Sequence, residues 1–207
     1  MTVERLGQTV YLTAFAVWIL IRLPHARCNR RIPVVDDRRT VREVVLLAVS
    51  FTGMTVMPLA SVFTPLLAFA DYHPPGWAVG AGAAAAAPAL WLFWRSHADL
   101  GRNWSPSLEV REGQALVADG VYRRIRHPMY ASLGLWAAAQ ALLLPNWVGG
   151  SSNLLSLVPL YLLRVPAEER MMLDRFGEEY RGYMARAGRI FPRLAQPPAE
   201  NSEALRP

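Results

Sequence analysis

The residues with the most chemical potential in this chain of 207 residues fall in two short segments, "LVADGVYRRIRHPMY" from Leu116 to Tyr130 and "RVPAEERMMLDRFGEEYRGYMARAGRIFPR" from Arg164 to Arg193. In the first, Gly120 permits a tight turn and Pro128 fixes the chain as it enters a helix. The backbone N–H groups at that helix start, beside Arg126 and His127, suit a carboxylate or a phosphate. Arg123 and Arg124 read as anchors for anionic lipid headgroups, and for Arg126 that reading stands beside the functional one. In the second segment Arg164 and Glu168 are four residues apart and would pair on a continuous helix, although Pro166 between them predicts a kink. Ionisable groups at membrane depth are costly and point to function; the plain alternative is an interfacial ion pair worth little. Met172, Leu173, Phe176, Tyr180, Tyr183 and Met184 are spaced as one face of an amphipathic helix with a break near Gly177, while Glu178 and Glu179 read as solvated.

The elements around these segments are set by where charge is absent. Hydrophobic residues make up 53% of the chain and charged ones 18%, and no Asp, Glu, Lys or Arg occurs from Val44 to Ala70, Tyr72 to Trp94 or Met129 to Leu163. About 20 apolar residues span a bilayer core, and only helices satisfy their backbone there without a closed barrel. The pattern predicts an all-α integral membrane bundle of about five transmembrane helices. These run from Gly7 to Leu23, from Arg42 into the 60s, from Trp77 to Trp94, and then through a hairpin with arms Met129–Leu144 and Leu154–Leu163. The stretch "PNWVGGSSN", Pro145 to Asn153, is expected to break that hairpin. A cytoplasmic amphipathic helix should follow it. Residues 1–195 form one domain on this reading, with three N-terminal spans in 1–95 and the chemistry in 96–195; the tail 196–207 reads as disordered.

All 22 basic residues are arginine, and only Arg5 lies on the far side of the spans from the others. The positive-inside rule then places the N-terminus outside and the C-terminus in the cytoplasm, the expected location being a bacterial inner membrane. The net charge of +6 is concentrated beside the spans, so lipid headgroups are a simpler partner than nucleic acid. A signal peptide fits the first segment less well than a span does. The single cysteine, Cys28, excludes an intramolecular disulfide and a multi-cysteine metal site, and no metal is expected.

The order G-x-Y-x-x-x-R-H-P-x-Y, a hydrophobic hairpin, R-x-x-x-E-E, then F-G-x-x-Y-x-x-Y and R-x-x-P resembles the isoprenylcysteine carboxyl methyltransferase family. Its positions here are Gly120, Tyr122, Arg126, His127, Pro128 and Tyr130, then Arg164, Glu168, Glu169, Phe176, Gly177, Tyr180 and Tyr183, and finally Arg189 to Pro192. The likeness covers about Gly101 to Arg193. It implies a membrane methyltransferase that uses S-adenosyl-L-methionine without a Rossmann fold, in keeping with the lack of a glycine-rich dinucleotide fingerprint. By carry-over, Tyr122, His127, Pro128, Tyr130, Glu168, Glu169, Tyr180 and Tyr183 would bind the cofactor. Arg126, Arg164 and Glu168 would serve the reacting centre.

A glutamate suits the cofactor's ammonium or ribose hydroxyls, and an arginine or helix start suits its carboxylate. Methyl transfer demands chiefly positioning and desolvation. A carboxylate acceptor needs no general base, whereas an amine or thiol must lose a proton, for which His127 or a glutamate is available. The expected acceptor is lipophilic, enters from the bilayer, and is first of all a prenylcysteine carboxylate. Phospholipid amines and small thiols are alternatives, as are an NADPH-dependent sterol-reductase-like activity and a non-catalytic membrane scaffold. Sterol reductases usually continue with R-x-x-R-D where this chain has "RVPAEER".

Overall fold

The computed structural model describes residues 2–29 and 32–193; the tail expected from residue 196 lies outside them. Along the chain come α1 (Val3–Asn29), β1 (Val34–Asp37), α2 (Val41–Phe51), α3 (Met57–Phe63), α4 (Trp77–Leu100), β2 (Glu109–Arg111), α5 (Pro128–Leu143) and α6 (Trp147–Arg186). Three rods, Val3–Cys28, Val41–Phe63 and Trp77–Asn103, are long and apolar enough to cross a membrane. The chain is thus a predominantly α-helical, multi-pass membrane protein. One departure from an all-α fold is an antiparallel ribbon in which Val34 of β1 lies opposite Arg111 of β2.

The second rod is not uniform. A π-helical turn, Thr52–Val56, joins α2 to α3, and the carbonyl of Gly53 accepts from Gln140 Nε2 at 3.2 Å and from Ser152 Oγ at 2.7 Å. A π turn leaves backbone groups available for such partners, and here α5 and α6 supply them in a region with no water to do so. The bundle interior is aromatic. Tyr11, Phe15 and Trp18 of α1 pack against Trp136 of α5 and Phe93 of α4, with Phe15 and Trp18 stacked at 6.2 Å and Trp18 and Phe93 at 4.8 Å.

The hairpin differs from expectation in its turn. The helices break only over Leu144 to Asn146, because Asn146 caps α6 by accepting from the N–H groups of Val148 at 3.1 Å and Gly149 at 2.7 Å. The glycines and serines that follow are helical. Gly149 sits where a Cβ would fall 2.3 Å from Ser61 Oγ, so small size here serves helix packing rather than chain reversal. At Pro166 also the helix continues, and α6 runs on to Arg186 with its one non-helical residue at Gly177 (φ 53°). The amphipathic helix expected after the hairpin is therefore the far end of α6, set at an angle by a glycine that adopts a positive φ without strain.

Candidate active site

At the arginine-rich end, α6 emerges beside the start of α5 and the loop that carries β2. Gly120 (φ 58°) makes the turn before α5, and a Cβ there would lie 2.1 Å from Asp99 Oδ2, whose carboxylate receives the N–H of Val121 at 2.9 Å. After that turn the chain enters α5 at Pro128. The segment Arg124 to His127 is meanwhile held by the C-terminal end of the described chain: Arg126 N–H donates to Gly188 O at 2.7 Å, His127 N–H to Arg189 O at 2.8 Å, and Gly188 N–H to Arg124 O at 3.0 Å. The R-x-x-P block thus clamps the R-H-P block through backbone hydrogen bonds.

The clamp closes on Glu169, which is 4% exposed. Its carboxylate receives Arg126 Nη2 at 3.0 Å and Nε at 3.2 Å, Arg189 Nη2 at 2.6 Å, and His127 Nε2 at 3.3 Å. Burial alone would raise this carboxyl group, but the hydrogen bonds from His127, Arg189 and Arg126 outweigh it and hold the pKa at about 2. Arg126 further donates through Nη1 to the carbonyls of Met184 and Ala187. With four of five N–H groups engaged, Arg126 acts chiefly as a strut.

Beside this cluster lies a cavity of about 280 Å³. Its polar wall comprises Arg126, His127, Tyr130, Arg164 and Glu168; Tyr122, Tyr180, Tyr183, Met171 and Met172 give an aromatic and thioether slot; Trp18, Leu47, Phe51, Met54, Phe93, Leu133 and Leu160 extend it along the membrane helices. Tyr130 O–H donates to Glu168 Oε1 at 2.8 Å, and Arg164 Nε lies 2.9 Å from the same oxygen. Glu168 remains partly open, its side chain 22% exposed. Arg164, 8% exposed, also donates from Nη2 to Pro106 O at 2.9 Å and approaches Glu43 Oε1 at 3.6 Å. Glu43 Oε1 accepts the Leu108 N–H at 2.7 Å, tying α2 to the loop and to α6. Tyr183 O–H donates to Tyr122 O at 2.6 Å, and burial raises the pKa of both Tyr180 and Tyr183, so their phenols stay neutral.

The residues expected to form a site are therefore brought together, with two distinctions. Glu168 lines the cavity whereas Glu169 belongs to the ion cluster behind it, and Pro128 shapes the helix start without lining the cavity. Arg123 and Arg124 point outward as exposed residues. Arg22, Glu43, Trp104 and Arg189 were not among the candidates. Arg189 lies within the R-x-x-P block, and Trp18 and Arg22 are spaced i, i+4, a signal for a cation–π pair on one helix face.

The sequence model of the isoprenylcysteine carboxyl methyltransferase family matches residues 86–174. That stretch is less than half of the chain. The matched segment begins within α4 and ends inside α6, so it includes Arg126, His127, Tyr130, Arg164, Glu168 and Glu169 and stops before Tyr180. Similar proteins are the protein-S-isoprenylcysteine O-methyltransferase of Schizosaccharomyces pombe, 39% identical over 70 residues (33% of this chain, 29% of that protein), and form B of Arabidopsis thaliana, 28% identical over 88 residues (42% and 45%). The Homo sapiens enzyme of the same name is 33% identical over 78 residues (38% and 28%). In none of the three does the match reach half of the relative's length. Among solved structures, the chain is similar to a eukaryotic intramembrane Ras methyltransferase, an isoprenylcysteine carboxyl methyltransferase, at 22% identity over 75% of this chain and 54% of that one, with a TM-score of 0.49.

Proposed function

We propose that this protein is an S-adenosyl-L-methionine-dependent membrane methyltransferase that esterifies the carboxylate of a lipophilic, prenylcysteine-like acceptor. The observation that carries the reading is the composition of a single cavity, which joins a polar, tyrosine-walled end on α6 to an apolar end on α1, α2, α4 and α5. A water-soluble cofactor and a lipid acceptor can meet there without either crossing the other's phase. The polar end fits the cofactor by its donor set. Glu168, steadied by Tyr130 and Arg164, is suited to an ammonium or to ribose hydroxyls, and the slot between Tyr180, Tyr183 and Met172 to an adenine ring.

The bound cofactor would supply an electrophilic methyl group on a sulfonium. Everything else is positioning: the residues of this chain orient Glu168, exclude water with tyrosine and methionine side chains, and hold Arg164 beside the reacting atoms. The acceptor would be a carboxylate that is already ionised, and Arg164 would hold it in line with that methyl group. No proton has to move, so the reaction needs no base. Arg126 and Glu169 would act as positioning residues behind the cavity.

The topology we propose has five spans, with the hairpin α5 and α6 as the fourth and fifth, the N-terminus outside and the site on the cytoplasmic side; in a bacterial cell this is the inner membrane. The arginine distribution supports it, as do Tyr72 and Trp147, in contact at 4.7 Å between ring centres at the opposite end. At about 24 Å, α5 is shorter than a bilayer core of about 30 Å. Residues 1–95 would form the acceptor side of one domain and 96–195 its cofactor side.

Calorimetric titration of the detergent-purified protein with S-adenosylhomocysteine and, in parallel, with NADPH tests the cofactor half of this reading. Saturable binding of S-adenosylhomocysteine alone is expected. Binding of NADPH alone would assign a reductase, and binding of neither by protein with native circular dichroism would leave a scaffold.

A further inference from the structure

Three arginines line the cavity, and they differ in how their charge is balanced. Arg126 is paired with Glu169, and Arg164 lies between Glu168 and Glu43. Arg22 of α1 has no carboxylate partner among the described residues. Its guanidinium is instead held between two indoles, 5.6 Å from the ring centre of Trp18 and 5.1 Å from that of Trp104.

That arrangement orients a planar cation without neutralising it. A cation–π contact engages the charge without consuming the N–H donors, a fork matched to the two oxygens of a carboxylate. A half-buried cation without a counter-charge is costly, and an arginine serving only as an anchor would extend to the headgroups. Arg22 is half-buried and faces the cavity. Arg164 lines the same cavity, and an anion between two like charges relieves their mutual repulsion.

We propose that Arg22, clamped by Trp18 and Trp104, binds the carboxylate of the methyl acceptor and so selects a carboxylate over an amine or a thiol. This rests on the methyltransferase reading and deepens it. Two anions could enter the cavity, the carboxylate of the cofactor and that of the acceptor. The surroundings of Arg22 favour the acceptor: Trp18 stacks on Phe93, and both belong to membrane helices, whereas Glu168, Tyr180 and Tyr183 stand on α6. An acceptor whose chain lies among Leu47, Phe51, Met54 and Leu133 would present its carboxylate to Arg22 at the junction of the two ends. The group is then bound as an anion, which is the form that attacks.

The test uses the full chain in detergent micelles with labelled S-adenosyl-L-methionine, N-acetyl-S-farnesylcysteine as acceptor, and its carboxamide as a competitor that lacks the charge. Arg22→Ala should raise KM for the acceptor about 10- to 100-fold, as expected for losing a charged hydrogen-bonded contact. The turnover number, the affinity for S-adenosylhomocysteine and inhibition by the carboxamide should stay within about threefold of wild type. Arg22→Lys should recover part of the loss, which a purely structural role would not produce, and Arg22→Gln serves where alanine impairs folding. An unchanged KM in variants that bind S-adenosylhomocysteine would overturn the proposal, as would a loss of S-adenosylhomocysteine affinity in place of the KM effect. A wild-type chain that binds S-adenosylhomocysteine yet methylates a farnesyl thiol as readily as the carboxylate would overturn it too. Failure of the wild type to bind S-adenosylhomocysteine at all would instead remove the methyltransferase reading beneath it.

Discussion

Arg164→Ala is expected to lower methyl transfer by about 10²- to 10³-fold, the cost of removing a preorganised charge from a water-poor reacting centre. The same change removes the positive charge from between Glu43, which is 3% exposed, and Glu168. Breaking a buried pair on one side costs about 3–5 kcal/mol, so loss of activity in the single variant would mix chemistry with folding. The double variant Arg164→Ala with Glu43→Gln separates them. Removing the orphaned charge should restore most of the thermal stability while turnover stays low, because Glu43 does not line the cavity of about 280 Å³. Recovery of turnover together with stability would make Arg164 a structural residue, and normal turnover in the single variant would remove it from the mechanism.

The adjacent glutamates should separate by phenotype. Glu169→Gln leaves Arg126, Arg189 and His127 around a neutral amide and should destabilise the cytoplasmic end of α6 by about 3–5 kcal/mol, read as a lower Tm and faster proteolysis near Arg186. Glu168→Gln should lower Tm less, because Arg164 keeps the carboxylate of Glu43 at 3.6 Å, and should weaken S-adenosylhomocysteine binding about tenfold, one charged contact being lost. Equal, unchanged affinities in the two variants would make the acidic pair purely structural. The pH profile carries the same information. Glu169 has its carboxyl pKa lowered from 4.5 to about 2 by its partners. Its contribution is therefore fully present above about pH 4.5 and is lost as pH falls from there towards 2, and the Glu169→Gln variant should lack that acid transition.

Much of this arrangement was legible from spacing. Two of the three charge-free blocks coincide with the apolar rods Val41–Phe63 and Trp77–Asn103, and the two motif blocks contained every residue of the polar wall on α5 and α6 or at the start of α5. What escaped was non-local or depended on the solvent. Thr40 Oγ1 accepts the N–H of Glu43 at 3.2 Å as a local helix cap, but the carboxylate of Glu43 serves Leu108, 65 residues away, and periodicity carries no trace of that. Gly149 and Gly150 read as chain breakers because glycine is a poor helix former in water. In an apolar phase an unpaired backbone is costlier than glycine's entropy, and small residues bring helices together, so the helix persists through both. The ribbon of β1 and β2 was invisible because its strands are four and three residues long, too short to show an alternating pattern.

The activity proposed for the cavity is transfer of a methyl group to a lipid carboxylate. The most direct test incubates the purified chain in lipid vesicles with methyl-labelled S-adenosyl-L-methionine and N-acetyl-S-farnesylcysteine, extracts the lipid phase, and treats it with base. Label is expected in that phase which base releases as methanol, the behaviour of a methyl ester, with much less on the same cysteine derivative lacking its prenyl chain. Label that resists base, as an N- or S-methyl group would, or equal methylation of the water-soluble derivative, would contradict it.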